Sequence, residues 1–95
     1  PQAAAPAPAA ARADAAGARQ RAASQLKPLK QELAAIDARL PAAGAERDAL
    51  LARMAAAGLA AAERADLGRR VKLLADEIDR LEARWLELQE LIEAA

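Results

Sequence analysis

Two clusters of charged side chains are the residues of this sequence best suited to chemistry. Between Arg47 and Lys72 there are six basic residues against three acidic ones, and five of the basic residues form the candidate site. These five are Arg53, Arg64, Arg69, Arg70 and Lys72. Grouped arginine and lysine side chains are suited to neutralising the phosphates of a nucleic acid. The alternative is a solvated helix face with local ion pairs, and the formal net charge of zero gives nucleic-acid binding no further support.

The acidic cluster is a weaker candidate for a functional site. Its members are Asp76, Glu77, Asp79 and Glu82, which we interpret as a solvated helix face in preference to a cation site. The chain contains no His and no Cys, which are the usual general base and the usual metal ligands. It also has no GxxxxGK[ST] phosphate loop and no GxSxG motif. We therefore expect a non-catalytic protein with no metal site and no small-molecule substrate.

Two heptad patterns predict the elements that position these clusters. The first repeats with steps of three and four through Leu26, Leu29, Leu33, Ile36, Leu40, Ala43, Arg47, Leu50, Met54 and Ala57. The second repeats in the same way through Leu67, Val71, Leu74, Ile78, Leu81, Trp85, Leu88 and Ile92. Alternating steps of three and four place one apolar stripe along a helix. Two such helices joined by a short turn must run antiparallel, so the sequence predicts an all-α, two-helix antiparallel coiled-coil hairpin.

The predicted boundaries follow from proline, glycine and composition. We expect residues 1–17 to be a disordered Ala/Pro-rich linker and residues 18–95 to be the hairpin. Within the hairpin we predict helix 1 over about 24–57, a turn over about 58–62 and helix 2 over about 63–93. Pro41 predicts a kink or break in helix 1. Pro28 either lies in a first turn or kinks a helix that starts earlier.

The distribution of charge and the remaining large apolar residues add predictions about how the two helices pair and which side chains they leave exposed. Residues 12–30 hold five basic residues against one acidic, and residues 76–93 hold seven acidic against two basic, which favours laying these segments side by side. Trp85 occupies a seam position, so we interpret it as core in preference to an exposed recognition residue. Leu73, Leu86 and Leu91 lie off the stripe and are available to a third surface, such as a parent domain or a second copy.

The sequence also suggests a cellular context. No apolar run is long enough to span a membrane, so we expect no membrane partner and a cytoplasmic location. The chain starts at Pro1 and its only Met is Met54, so we interpret it as a piece of a longer protein.

Two segments carry a family resemblance. LKPLKQELA at residues 26–34 and RWLELQEL at residues 84–91, joined by the two heptad helices, resemble the C-terminal coiled-coil domain of ABC-F family ATPases of the Uup/YheS type. The resemblance covers about residues 18–95. It implies a parent with two tandem ATP-binding cassettes that use ATP and Mg and with no transmembrane domain, acting on the ribosome in translation or its rescue.

The same resemblance implies the role of this chain. The hairpin would be an accessory arm that contacts DNA, ribosomal RNA or the ribosome, with no cofactor of its own, and we expect it to be monomeric. The family's catalytic residues lie in the cassettes, and none of them maps onto this chain. A structural module that packs on the parent cassettes, or that self-associates, is the alternative.

Overall fold

The chain folds into two long antiparallel helices. The structure is a computed structural model that describes residues 9–95. Helix α1 spans Ala9–Met54 and helix α2 spans Ala61–Ala94. Within the described residues, α1 and α2 pack against each other. The predicted all-α, two-helix antiparallel hairpin is confirmed.

A narrow apolar seam holds the helices together. The buried hydrophobic side chains are Ile36, Ala43 and Leu50 on α1, and Leu67, Ile78 and Leu88 on α2. The three on α1 are spaced by seven residues, or about two helical turns, which keeps them on one face. Because each helix has only one neighbour, most other seam positions stay half-exposed. The fold therefore depends on a few fully buried side chains.

Helix α1 starts much earlier than the proline content of the sequence suggests. It begins at Ala9, so residues 9–17, which we expected to belong to a disordered linker, are helical, and the start predicted near residue 24 is wrong. Alanine has the highest helix propensity of all residues, and no proline occurs between residues 9 and 27. The rest of the expected linker, residues 1–8, lies outside the described residues.

Proline does not interrupt α1. Pro28 and Pro41 both lie inside the helix, which continues from end to end, so a break at Pro41 is wrong. Both rings are exposed to solvent, where water can satisfy the carbonyl groups that proline leaves unpaired. Two residues after Pro41, Ala43 is fully buried, so the seam remains closed at this point. A smaller kink at Pro41 stays a prediction.

The turn is earlier and longer than predicted. Helix α1 ends at Met54, and residues 55–60 connect it to α2. The amide groups of Ala55 and Ala56 bond to carbonyls of the last turn of α1, including a 3.1 Å bond from Ala56 to Arg53. Gly58 then has φ = +80°, the left-handed conformation that reverses the chain. Ala60 precedes α2 without a side-chain capping bond.

Replacing Gly58 by Ala should destabilise the hairpin, because its positive φ is unfavourable for any residue with a Cβ. We expect a loss of about 1 kcal/mol in the free energy of unfolding. Gly68→Ala is the matched control, since its Cβ would lie 3.7 Å from the Met54 Cε inside a helix. That change should stabilise by about 0.5–1 kcal/mol. Urea unfolding followed by circular dichroism measures both, and equal effects would contradict the assignment of the turn.

Candidate nucleic-acid interface

A shallow groove near the turn brings together two of the predicted site residues. We call the half of the hairpin that contains the turn, residues 47–72, the distal end. Arg53 comes from the last turn of α1 and Arg70 from the third turn of α2, and both line this groove beside Leu73, whose surface is 68% exposed. The other lining residues are Glu46, Ala49, Leu50 and Leu74. Antiparallel pairing thus places two guanidinium groups, distant in sequence, on one face of the rod.

Arg64 has a structural partner. Its Nη1 donates a 2.6 Å hydrogen bond to the carbonyl oxygen of Met54, across the turn. The last carbonyls of a helix have no intrahelical donor and carry the negative end of the helix dipole, so a cation is favourable there. Arg64 therefore caps α1 through one of its donors, and because its side chain is exposed, its role in phosphate binding stays a prediction.

Arg69 and Lys72 make only weak local ion pairs. Arg69 lies 3.4 Å from Asp66, and Lys72 lies 3.4 Å from Asp76. Both basic side chains are largely exposed, at 69% and 78%. Exposed pairs of this kind contribute little free energy, so these cations remain available to an incoming phosphate.

The strongest polar contacts join the helices away from the distal end. Arg39 donates two hydrogen bonds to Glu77, at 2.6 and 2.8 Å. Arg84 donates two to Glu32, at 2.7 and 2.9 Å. Each arginine also contacts a glutamate of its own helix, Glu46 for Arg39 and Glu87 for Arg84.

The two bidentate pairs have opposite polarity: α1 supplies the arginine of one pair, and α2 supplies the arginine of the other. Glu32 and Arg39 are one heptad apart on α1, and Glu77 and Arg84 are one heptad apart on α2. Sliding the helices by one heptad would place Arg39 opposite Arg84 in one direction, or Glu32 opposite Glu77 in the other. Like charges in contact disfavour both alternatives. Sequence reasoning missed this arrangement, although the repeated seven-residue spacing of opposite charges was a signal for it.

The arginines lower the pKa of the glutamates that they bind. The hydrogen bonds from Arg84 lower the pKa of Glu32 below its ordinary value of 4.5, outweighing the opposite effect of desolvation. The hydrogen bonds from Arg39 lower the pKa of Glu77 in the same way. In turn, these carboxylates raise the pKa of Arg39 and Arg84. All four groups stay charged at neutral pH.

A pH titration of stability should reveal these pairs. Because the folded-state pKa of Glu32 and of Glu77 is lowered, their stabilisation is present above about pH 4.5 and is lost as the pH falls through the folded pKa. We expect the thermal midpoint of the wild type to fall more between pH 7 and pH 3 than that of Glu32→Gln/Glu77→Gln. Parallel curves for the two proteins would contradict the assigned contacts.

Trp85 is placed between the core and the surface. Its ring occupies the seam position, but its Nε1 donates a 2.8 Å hydrogen bond to Oδ1 of Asp37 on α1. The side chain is half-buried and lines a small groove with Leu40, Glu82 and Leu86. The bond satisfies the indole donor and adds to the polar links between the helices.

The acidic cluster is divided between structural contacts and solvent. Glu77 binds Arg39 and Asp76 approaches Lys72, while Asp79 and Glu82 are exposed. Across residues 9–95, no group of three or more His, Cys, Asp or Glu residues is arranged to hold a metal ion. None of the described helices is both long and apolar enough to cross a membrane.

Comparison with protein-family models, curated proteins and solved structures gives no significant match to this chain. The geometry of the distal end and the chemistry of its side chains are therefore the basis for a functional proposal.

Proposed function

We propose that this chain is a non-catalytic binding arm whose distal end contacts the phosphate backbone of a nucleic acid. The observation that carries the proposal is the groove in which Arg53 of α1 and Arg70 of α2 meet. Arg69 and Lys72 add two exposed cations on neighbouring turns of α2. Guanidinium groups match phosphate geometry and remain charged at every physiological pH.

The local contacts leave these four side chains free to bind. Within residues 9–95, no hydrogen bond or ion pair engages the side chain of Arg53 or of Arg70. The ion pairs of Arg69 and Lys72 are long and exposed, so exchanging them for a phosphate costs little. We therefore propose Arg53, Arg69, Arg70 and Lys72 as the main binding set, and Arg64, which also caps α1, stays a predicted member.

The expected recognition is independent of base sequence. One α-helix with its side chains spans about 10–12 Å, which already fills a major groove of about 12 Å. Two helices side by side are too wide to enter it and would lie against the backbone. The only aromatic residue, Trp85, lies away from the distal end, so stacking on unpaired bases contributes nothing there.

The ABC-F resemblance supports the same role at the level of the parent protein. In this proposal the cassettes supply ATP hydrolysis with Mg, and the hairpin reaches the ribosome or another nucleic acid as an arm. The long, thin shape suits this role, since α1 alone extends over about 70 Å. The distal end can thus reach a partner well away from the protein body that carries it.

A salt-dependent titration tests the proposal. The probes are a short duplex RNA and a short duplex DNA, and the variant is Arg53→Gln/Arg69→Gln/Arg70→Gln/Lys72→Gln. We expect at least a tenfold weaker affinity, and a slope of log K against log salt that falls by about 1 for each phosphate contact removed.

The matched control carries the same change in net charge at mid-rod. It is Ala35→Glu/Ala38→Glu/Ala42→Glu/Ala45→Glu, at four exposed positions of α1. This control should keep most of the wild-type affinity. If both variants lose affinity equally, or if the wild type does not bind at low salt, the distal-end proposal fails.

One observation favours a second function, in which the chain is a structural interaction module. Four large side chains are 45–68% exposed: Leu51, Leu73, Leu86 and Leu91. Such residues can pack on the parent cassettes. Absence of nucleic-acid binding, together with loss of parent stability when Leu86 and Leu91 are changed to Ser, would support this alternative.

A further inference from the structure

The two faces of the rod that flank the apolar seam differ in chemistry. One face carries the two bidentate arginine–glutamate pairs. Asp37 marks the other face, because it accepts the hydrogen bond from Trp85. Gly44 and Leu51 follow Asp37 at steps of seven residues, which is about two helical turns each, so they lie on the same face. We call this second face the tryptophan face.

The tryptophan face carries both an apolar groove and an exposed apolar side chain. The groove is lined by Leu40, Trp85 and Leu86, together with Glu82. Leu51 is 45% exposed and lies about 20 Å closer to the turn. A two-fold contact requires one surface that is complementary to itself. A groove and a leucine on one face meet this requirement, so the surface fits a second copy of this chain.

The level midway between the groove and Leu51 carries no charge. Gly44 lies midway between Asp37 and Leu51, and the interhelical hydrogen bonds place Ala75 of α2 at about the same level. Ala75 precedes the groove residue Glu82 by seven residues and therefore belongs to the tryptophan face. Residues on a two-fold axis meet their own counterparts, so a charge there would repel itself. Gly44 and Ala75 are uncharged and allow an axis at this level.

Two charged side chains of α2 lie on either side of the same level. Lys72 comes three residues before Ala75 and Asp79 comes four residues after it, and both are exposed. Steps of three and four keep these residues on one stripe of the helix. The two-fold axis thus brings Lys72 of each copy opposite Asp79 of the other. Within residues 9–95, Lys72 pairs only with Asp76, at 3.4 Å and in solvent, so it remains free to make this contact.

We propose that two copies of this chain associate face to face and antiparallel through the tryptophan face, with Leu51 of each copy in the Leu40–Trp85–Leu86 groove of the other. The overlap extends from the axis to the turn in both directions, which makes it about 40 Å long. Two adjacent helices are about 20 Å wide, so each copy contributes about 800 Å², the area of a specific protein–protein interface.

The dimer leaves most of the proposed nucleic-acid site accessible. Arg53 follows Arg39 by fourteen residues, and Arg70 precedes Glu77 by seven, so both lie on the face of the bidentate pairs. Lys72 is shared between the two surfaces. The two distal ends point in opposite directions. The dimer and the proposed function can therefore fail independently of each other.

Sedimentation equilibrium over a wide range of concentrations tests the dimer. The contact contains few large apolar side chains, so we expect a dissociation constant on the order of 100 µM. The chain is then monomeric at the few micromolar used for circular dichroism, where unfolding reports on a single hairpin. The monomer expected from the sequence describes this dilute chain. At about 1 mM most of the chain should be dimeric.

Exchanging one exposed leucine for glutamate tests which face makes the contact. Leu51→Glu would bury a charge in the groove, so this variant should stay monomeric at about 1 mM. Leu73→Glu is the matched control, because Leu73 is 68% exposed and lies on the opposite face beside Arg53 and Arg70. It should associate like the wild type. A monomeric wild type at about 1 mM, wild-type association of Leu51→Glu, or equal losses in both variants would overturn the proposal.

Charge exchange tests the antiparallel arrangement. Lys72→Asp and Asp79→Lys should each raise the dissociation constant about fivefold, because like charges then meet at both contacts. In a mixture of the two variants, both contacts again join opposite charges, so a heterodimer should form with about the wild-type affinity. Arg70→Asp has the same net charge as Lys72→Asp and should recover less association with Asp79→Lys, since it restores only one contact. A mixture that associates no better than either variant alone, or no better than this control, would overturn the proposal.

Discussion

Changing Leu88 to Ala is expected to lower the free energy of unfolding by about 3 kcal/mol. Among the described residues, Leu88 is the largest side chain that is fully buried, and it closes the seam near the open end of the hairpin. Truncation removes buried apolar surface and leaves a cavity that the surrounding side chains fill only in part. A loss of this size is a large fraction of the stability of a small domain.

The control for this prediction is Leu86→Ala on the same turn of α2. Leu86 is 59% exposed, so its truncation should change stability by no more than about 0.5 kcal/mol. Urea unfolding followed by circular dichroism gives both values. Similar losses for the two variants would show that α2 buries a different face from the one described.

Exchanging one bidentate pair should disturb the alignment of the helices. In Glu32→Arg/Arg84→Glu the native pair is kept in reversed form. A slide of one heptad in one direction now brings Arg39 opposite the introduced glutamate. A slide in the other direction brings the introduced arginine opposite Glu77. Charge repulsion no longer disfavours the shifted alignments, so we expect more than one register.

Spin labels can measure this effect. The chain has no Cys, so single cysteines at the exposed positions Ala38 and Ala65 can be labelled cleanly. A slide of one heptad moves the helices by about 10 Å along the axis. We expect one narrow distance distribution for the wild type and a broad or divided one for the exchanged variant.

Exchanging both pairs provides the control. Adding Arg39→Glu and Glu77→Arg restores repulsion in both shifted alignments, so this variant should return to a single distance. If the variant with one exchanged pair stays as narrow as the wild type, then the turn at Gly58 and the apolar seam set the register, and the two arginine pairs do not.

Periodicity predicted the fold because the seam is a direct consequence of residue spacing. Steps of three and four through Leu67, Ile78 and Leu88 place large side chains on one face, and these three are buried. The start of α1 was harder to predict, since alanine favours a helix and Pro6 and Pro8 disfavour one. The sequence does not show at which residue the helix-forming effect of alanine is overcome by the helix-breaking effect of proline. In the structure the helix begins at Ala9.

The candidate site could be predicted only in part. Composition identified the basic cluster, and antiparallel pairing explains why Arg53 and Arg70 meet in one groove. The capping role of Arg64 depends on the path of six turn residues, which no spacing rule provides. The bidentate pairs Arg39–Glu77 and Arg84–Glu32 depend on the exact register of the two helices. Because the apolar positions repeat every seven residues, they fit registers one heptad apart about equally well.

Photo-crosslinking to a nucleic acid tests the central claim most directly, namely that the distal end is the surface that binds phosphate. A photoreactive amino acid is placed at Ala52, beside Arg53, or at Ala38 in the middle of the rod; both positions are exposed. With a labelled duplex at low salt, we expect crosslinks from Ala52 that disappear in Arg53→Gln/Arg70→Gln, and few from Ala38. Equal crosslinking at the two positions, or none at Ala52, would contradict the claim.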